Sequence, residues 1–157
     1  MNPPCLIVGI GNPDRGDDGA GPMAAELLTR RAPAGTRIEV LGGDPAPLIE
    51  WLEQAQHAWL IDAADAGTHA GTIRRFDLAH GAIPEGAFSL STHGIGLSDT
   101  LELARALNAL PGCCIVYAID GKSFENGTAL SPEVRAAVGE VVDSIVNELL
   151  KTTLRGS

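Results

Sequence analysis

The stretch Leu6-Ile7-Val8-Gly9-Ile10-Gly11-Asn12-Pro13-Asp14-Arg15-Gly16-Asp17-Asp18-Gly19-Ala20-Gly21 is the part of the chain from which an architecture can be read. It opens as a short continuous apolar run, the pattern of a strand buried on both faces. It ends just before Pro22, a residue suited to the first turn of a helix. Between them lies a loop dense in glycine and acid. In α/β domains the loops at the carboxyl ends of the strands gather ligands. Asp17 and Asp18 therefore either bind something or cap the helix that follows.

The remainder alternates in the same way. A helix is predicted to about Arg31, with Met23, Leu27 and Leu28 inward, and Pro33-Ala34-Gly35 breaks it. Thr36 to Leu41 reads as a second strand, and Leu48, Ile49, Trp51 and Leu52 mark a short helix. Ala58-Trp59-Leu60-Ile61 reads as a third strand that stops at Asp62, followed by a loop to Gly71. Thr72 to Leu78 is an edge strand carrying Arg74 and Arg75, and residues 79–90 show little periodicity. A helix from Ile95 to Leu107 and a buried strand from Cys113 to Ile119 come next. Ser131-Pro132-Glu133 is a helix start, with an N-cap, a proline and an acid in the first turn. Apolar residues at three- and four-residue steps run on to Leu150, and residues 151–157 are expected to fray. Alternating strands and helices predict a three-layer α/β sandwich, a mostly parallel twisted sheet of about five strands with helices on both faces.

The 157 residues are expected to form a single domain, residues 1–157. The formal net charge of −9 argues against nucleic acid and anionic membranes, and fits a cation or a basic peptide segment better. No apolar run approaches the roughly 18 residues of a membrane span, and no secretory signal opens the chain. Cys5, Cys113 and Cys114 are odd in number and lie in apolar runs, as reduced core thiols do, and no CxxC pair offers a thiolate zinc site. A cytoplasmic protein is expected, and a monomer.

The glycine loop does not complete a nucleotide fingerprint. Gly9 and Gly11 supply two glycines of G-x-G-x-x-G, but Asp14 stands where the third belongs, and the aspartates have the wrong sign for a pyrophosphate. One aspartate of the pair Asp17-Asp18 is explained by a cap; the second is not. Asp62, at the end of an apolar strand, is either a turn aspartate or a ligand at the sheet's carboxyl edge. His57, His69 and His80 read as surface residues. His93, in Ser91-Thr92-His93-Gly94-Ile95-Gly96 before a helix, is either a helix-entry residue or a neutral imidazole ligand or base. Two carboxylates and an imidazole would form a three-ligand site for a borderline divalent metal such as zinc or nickel, with one position open as in catalytic sites. No HExxH helix or GxSxG elbow is present, and no cysteine sits at a strand-to-loop junction as a nucleophile would.

These residues resemble those of the maturation endopeptidases of nickel-iron hydrogenases. The resemblance rests on Gly9-Ile10-Gly11-Asn12 with Asp17-Asp18-Gly19-Ala20-Gly21, on Gly43-Asp44-Pro45, on Ile61-Asp62-Ala63, and on Ser91-Thr92-His93-Gly94-Ile95-Gly96-Leu97. Tyr117-Ala118-Ile119-Asp120-Gly121 and Leu130-Ser131-Pro132-Glu133-Val134 continue it in the same order. It implies a protease that cuts the C-terminal extension from a hydrogenase large-subunit precursor after nickel insertion. It implies Asp18, Asp62 and His93 as metal-contacting and catalytic residues, with Asp17 as possible support and Gly42, Gly43 and Asp44 in substrate recognition. The nickel would arrive in the precursor, so the partner is the nickel-loaded precursor and no permanently bound cofactor is expected. The docked nickel would polarise the scissile carbonyl or activate water, with Asp17 or Asp18 as base. The Asp14-Arg15 pair stands where many members are apolar, which bears on the preferred precursor. The rival readings are a zinc-dependent amidohydrolase and a non-proteolytic chaperone that binds nickel or the precursor.

Overall fold

The computed structural model describes residues 5–65, 67–84 and 96–155. Five strands form one sheet: β1 (Cys5–Ile10), β2 (Arg37–Leu41), β3 (His57–Ala64), β4 (Ile73–Asp77) and β5 (Cys113–Asp120). The helices are α1 (Ala20–Arg31), α2 (Ala46–Glu53), α3 (Leu97–Ala106) and α4 (Pro132–Arg155), and a short 3-10 turn, Gly16–Gly19, precedes α1. The strand order is β2-β1-β3-β5-β4. All neighbours are parallel except β4, which lies antiparallel to β5 at the edge.

Side chains alternate across the sheet with period two, and each face has its own core. Ile7, Trp59, Ile61, Ile115 and Ile119 pack under α1 and α4, against Ala24, Leu28, Val138 and Val141. Leu6, Val8, Leu60 and Val116 pack under α2 and α3, against Leu48, Leu52 and Leu101. The expected sandwich is thus present, with two helices on each face. Among the described residues no helix is long and apolar enough to cross a membrane.

Three expectations are corrected. The inner face of α1 is Ala20, Gly21, Ala24, Ala25 and Leu28, while Met23 and Leu27 are only half-buried. The helix lies too close to the sheet for larger groups: a Cβ on Gly21 would come within 2.5 Å of Ile10 N and Ile61 O. β3 does not stop at Asp62. It runs to Ala64 because β5 continues the ladder through Asp62↔Ala118, Ala63↔Ile119 and Ala64↔Asp120. The chain beyond Lys151 does not fray at once; α4 stays helical to Arg155, and no glycine or proline stands between Lys151 and Arg155 to end it sooner.

The topology creates one privileged place. From β1 the chain moves outward through α1 to β2, then crosses back through α2 to β3 on the other side of β1. Such a reversal of strand order leaves a crevice at the carboxyl ends of the two central strands. Ile10, the last residue of β1, is level with Asp62 of β3.

Candidate functional site

Asp18 and Asp62 flank that crevice. Asp62 shares the parity of Ala58 and Leu60, so its side chain lies on the α2/α3 face, and it is 9% exposed. Asp18 reaches the same place from the 3-10 turn, its side chain 14% exposed. Its Oδ2 accepts a hydrogen bond from Asn12 N at 3.0 Å, and Arg15 Nη1 stands 3.9 Å away. The turn passes close over the end of β1. Gly11 has φ +140°, and a side chain there would collide with the Asp18 carbonyl.

The two acids oppose each other electrostatically. Burial, and then the charge of Asp18, push the Asp62 carboxyl well above its ordinary range, against a lowering hydrogen bond from the Ala63 backbone. A carboxylate held beside another carboxylate out of water is relieved by a proton or by a cation. Asp18 and Asp62 are therefore the side chains here that could share a divalent ion.

Asp17 does something else. It is 0% exposed, and donors surround its carboxylate. Oδ1 accepts Ser131 N at 2.7 Å and Ser131 Oγ at 3.0 Å; Oδ2 accepts Lys122 N at 2.9 Å and Ser123 N at 3.2 Å. The carboxylate also sits at the start of α4, where the helix dipole favours negative charge. Its oxygens are occupied by donors and closed to solvent, the setting of a structural carboxylate. The helix-cap reading fails for both acids, because α1 has Gly19 at its N-cap and no side-chain cap.

His93 lies outside the described residues, as do its neighbours Ser91, Thr92, Gly94 and Ile95. Among the described residues no three His, Cys, Asp or Glu side chains are grouped to hold a metal. The structure brings Asp18 and Asp62 together, two of the three residues that the sequence reading names as candidate metal contacts. Gly42, Gly43 and Asp44 follow β2 at the same edge of the sheet, beside Gly11, whose N–H donates to Leu41 O at 3.0 Å. All three are exposed, and Asp44 Oδ1 accepts Ala46 N at 3.0 Å at the start of α2.

Sequence reasoning gave no task to the residues of Tyr117-Ala118-Ile119-Asp120-Gly121, and the structure gives three of them structural ones. Tyr117 donates to Glu148 of α4, and burial with that hydrogen bond pushes its phenol up to about 12. Asp120, 1% exposed, accepts Arg74 Nη2 at 2.7 Å and the Thr68 hydroxyl. Gly121 leaves room for Asp17, whose Cβ would stand 2.7 Å from a Cβ there. The signal for these roles is an acid and a glycine at the end of a buried strand, but their partners are distant in sequence.

The profile of the hydrogenase maturation protease (HycI) family matches residues 23–148, a span that includes Asp62 and His93 and begins after Asp18. The hydrogenase expression/formation protein HoxM of Azotobacter vinelandii is 32% identical over 139 residues, covering 85% of this chain. The chain spans 66% of the length of that relative. The hydrogenase maturating endopeptidase HybD of E. coli superposes with a TM-score of 0.76 at 22% identity, over 95% of this chain and 93% of that one. The [NiFe] hydrogenase maturation protease HycI of Thermococcus kodakarensis KOD1 gives 0.75 at 22% identity, over 96% and 94%. At these identities the superpositions speak for the fold.

Proposed function

The chain belongs to the hydrogenase maturation protease family, and on that premise we propose that it is an endopeptidase that removes the C-terminal extension of a nickel-iron hydrogenase large-subunit precursor after nickel has been inserted. The observation that carries this reading is the opposition of Asp18 and Asp62 in the crevice between β1 and β3, where Asp62 is pushed toward its protonated form. On this reading the pair is relieved by a cation that the substrate brings, and by a proton in its absence.

The nickel belongs to the substrate. Asp18, Asp62 and His93 complete its coordination when the loaded precursor docks, with the oxygen and imidazole donors that suit a borderline divalent ion. A precursor without nickel gains none of those bonds and leaves the acids opposed. Metal loading thereby becomes the condition for cleavage, a use of differential binding for specificity. The ion brings Lewis acidity to the scissile carbonyl or to a water. Asp18 is the acid placed to take a proton, since Asp17 is fully engaged with donors. The site of action is cytoplasmic, consistent with Cys5, Cys113 and Cys114 being unbridged, and the enzyme acts as a monomer.

The test is processing of purified precursor, with and without nickel, by the wild type and by Asp18→Asn, Asp62→Asn and His93→Gln. The wild type is expected to shorten only the loaded precursor, and each variant to be slower by roughly 100-fold or more. Full activity in all three variants, or cleavage indifferent to nickel, overturns the reading. Metal analysis of the purified chain is expected to find no stoichiometric metal. Tightly bound zinc would turn the assignment to an amidohydrolase, and docking without cleavage to a chaperone.

A further inference from the structure

We infer that Asp17 is a positioning residue for the reaction proposed above: it fastens the turn that carries Asp18 to the segment 121–131, and so sets where Asp18 meets Asp62. The assignment rests on that reading of the site. Asp18 and Asp62 come from different parts of the chain, and something must hold them in one arrangement. The side-chain partners of Asp18, Asn12 N and Arg15, belong to its own loop and cannot do it.

The segment 121–131 is a common base for both acids. On one side Gly121 N donates to Ala64 O at 2.9 Å, two residues beyond Asp62 in β3. On the other, Lys122 N, Ser123 N and Ser131 N converge on the Asp17 carboxylate, and Asp17 N donates back to Ser123 O at 2.8 Å. Gly16 N donates to Thr128 O at 3.2 Å, and Gly127 N to Asp14 O at 2.7 Å. A closed path results, from Asp18 through Asp17 to 121–131, then to Ala64 and back to Asp62. A four-residue 3-10 turn has little rigidity of its own. Here the buried carboxylate adds to the backbone bonds, and among the described residues the groups hydrogen-bonded to its oxygens are all donors, which suits a carboxylate and not an amide.

Steady-state processing of purified nickel-loaded precursor by Asp17→Asn tests this. The amide keeps the size and turns an N–H₂ group toward N–H donors. At a temperature where the variant is folded by circular dichroism, kcat is expected to fall roughly 10- to 100-fold with KM unchanged, the signature of misplaced but present groups. Hydrogen exchange at the Lys122, Ser123 and Ser131 amides is expected to quicken. Gly121→Ala, which drives a methyl against Asp17 Cβ, is expected to give the same loss in kcat alone, and serves if Asp17→Asn does not fold. An unchanged kcat in either folded variant, or a loss confined to KM, overturns the inference. Asp18→Asn in the same assay separates the two ideas. If it is fully active, the site reading itself has failed; if it is inactive while Asp17→Asn is fully active, only the positioning role has.

Discussion

Asp17 and Asp18 are adjacent in sequence and opposite in circumstance. Asp17 sits in a nest of backbone N–H groups and a serine hydroxyl, closed to water, with every oxygen satisfied. Asp18 sits at a crevice, has among the described residues one backbone donor and a guanidinium 3.9 Å away, and faces the buried Asp62. The contrast teaches that burial alone does not mark a working carboxylate. A buried acid with its donors in place is part of the frame. A buried acid set against another acid is relieved by a proton or by a cation, and that makes it a candidate for a working group.

The largest effect that can break this comparison is on folding. Asp17→Ala leaves three partly buried N–H groups without their acceptor and is expected to cost about 3–5 kcal/mol, read by urea unfolding. A loss below about 1 kcal/mol would mean that the nest is not what holds the turn. Next is activity. Asp18→Asn and Asp62→Asn are each expected to slow processing by roughly 100-fold, about 2.7 kcal/mol in the barrier, while the far-ultraviolet circular dichroism stays that of the wild type.

Stability is expected to move the other way at Asp62. Removing an opposed acid should stabilise the fold at neutral pH by about 1 kcal/mol, roughly 2–4 °C in Tm for a chain of this size. The folded state holds the Asp62 proton more tightly than the unfolded chain does, because burial and Asp18 raise its value. Its contribution is thus fully present below the ordinary carboxylate range and is lost as pH rises through the raised value. The gain in Asp62→Asn should therefore grow with pH across that window and vanish in acid; a gain independent of pH would remove the electrostatic explanation. The smallest effect is at Ser131→Ala, which deletes one hydroxyl donor to Asp17 but keeps the backbone one. It is expected to cost about 0.5–1 kcal/mol, and thermal melts should resolve it from Asp17→Ala.

Much of the fold was legible because its signals are local. β1, β2, β4 and β5 fall within a residue or two of where apolar runs place them, and Ser131-Pro132-Glu133 announces α4. Misreadings arose where a distant partner decides. β3 passes Asp62 because β5 is there to pair with it, and the inner face of α1 is made of small residues because Gly21 brings the helix against β1 and β3. The pair Asp17-Asp18 was legible as a surplus of acid. Which of the two faces the crevice was not, since the donors that claim Asp17 lie more than a hundred positions along the chain.

The sequence by itself determined the alternation of strands and helices, the acid-rich loop after the first strand, and the absence of a complete phosphate-binding fingerprint. All of these follow from periodicity and residue type within short windows. Only the tertiary structure decided that β1 and β3 are neighbours, that Asp18 opposes Asp62 there, and that donors of the segment 121–131 enclose the Asp17 carboxylate. The physical reason is that burial, hydrogen-bond satisfaction and charge repulsion depend on distance through space, and these neighbours meet only after the sheet has assembled.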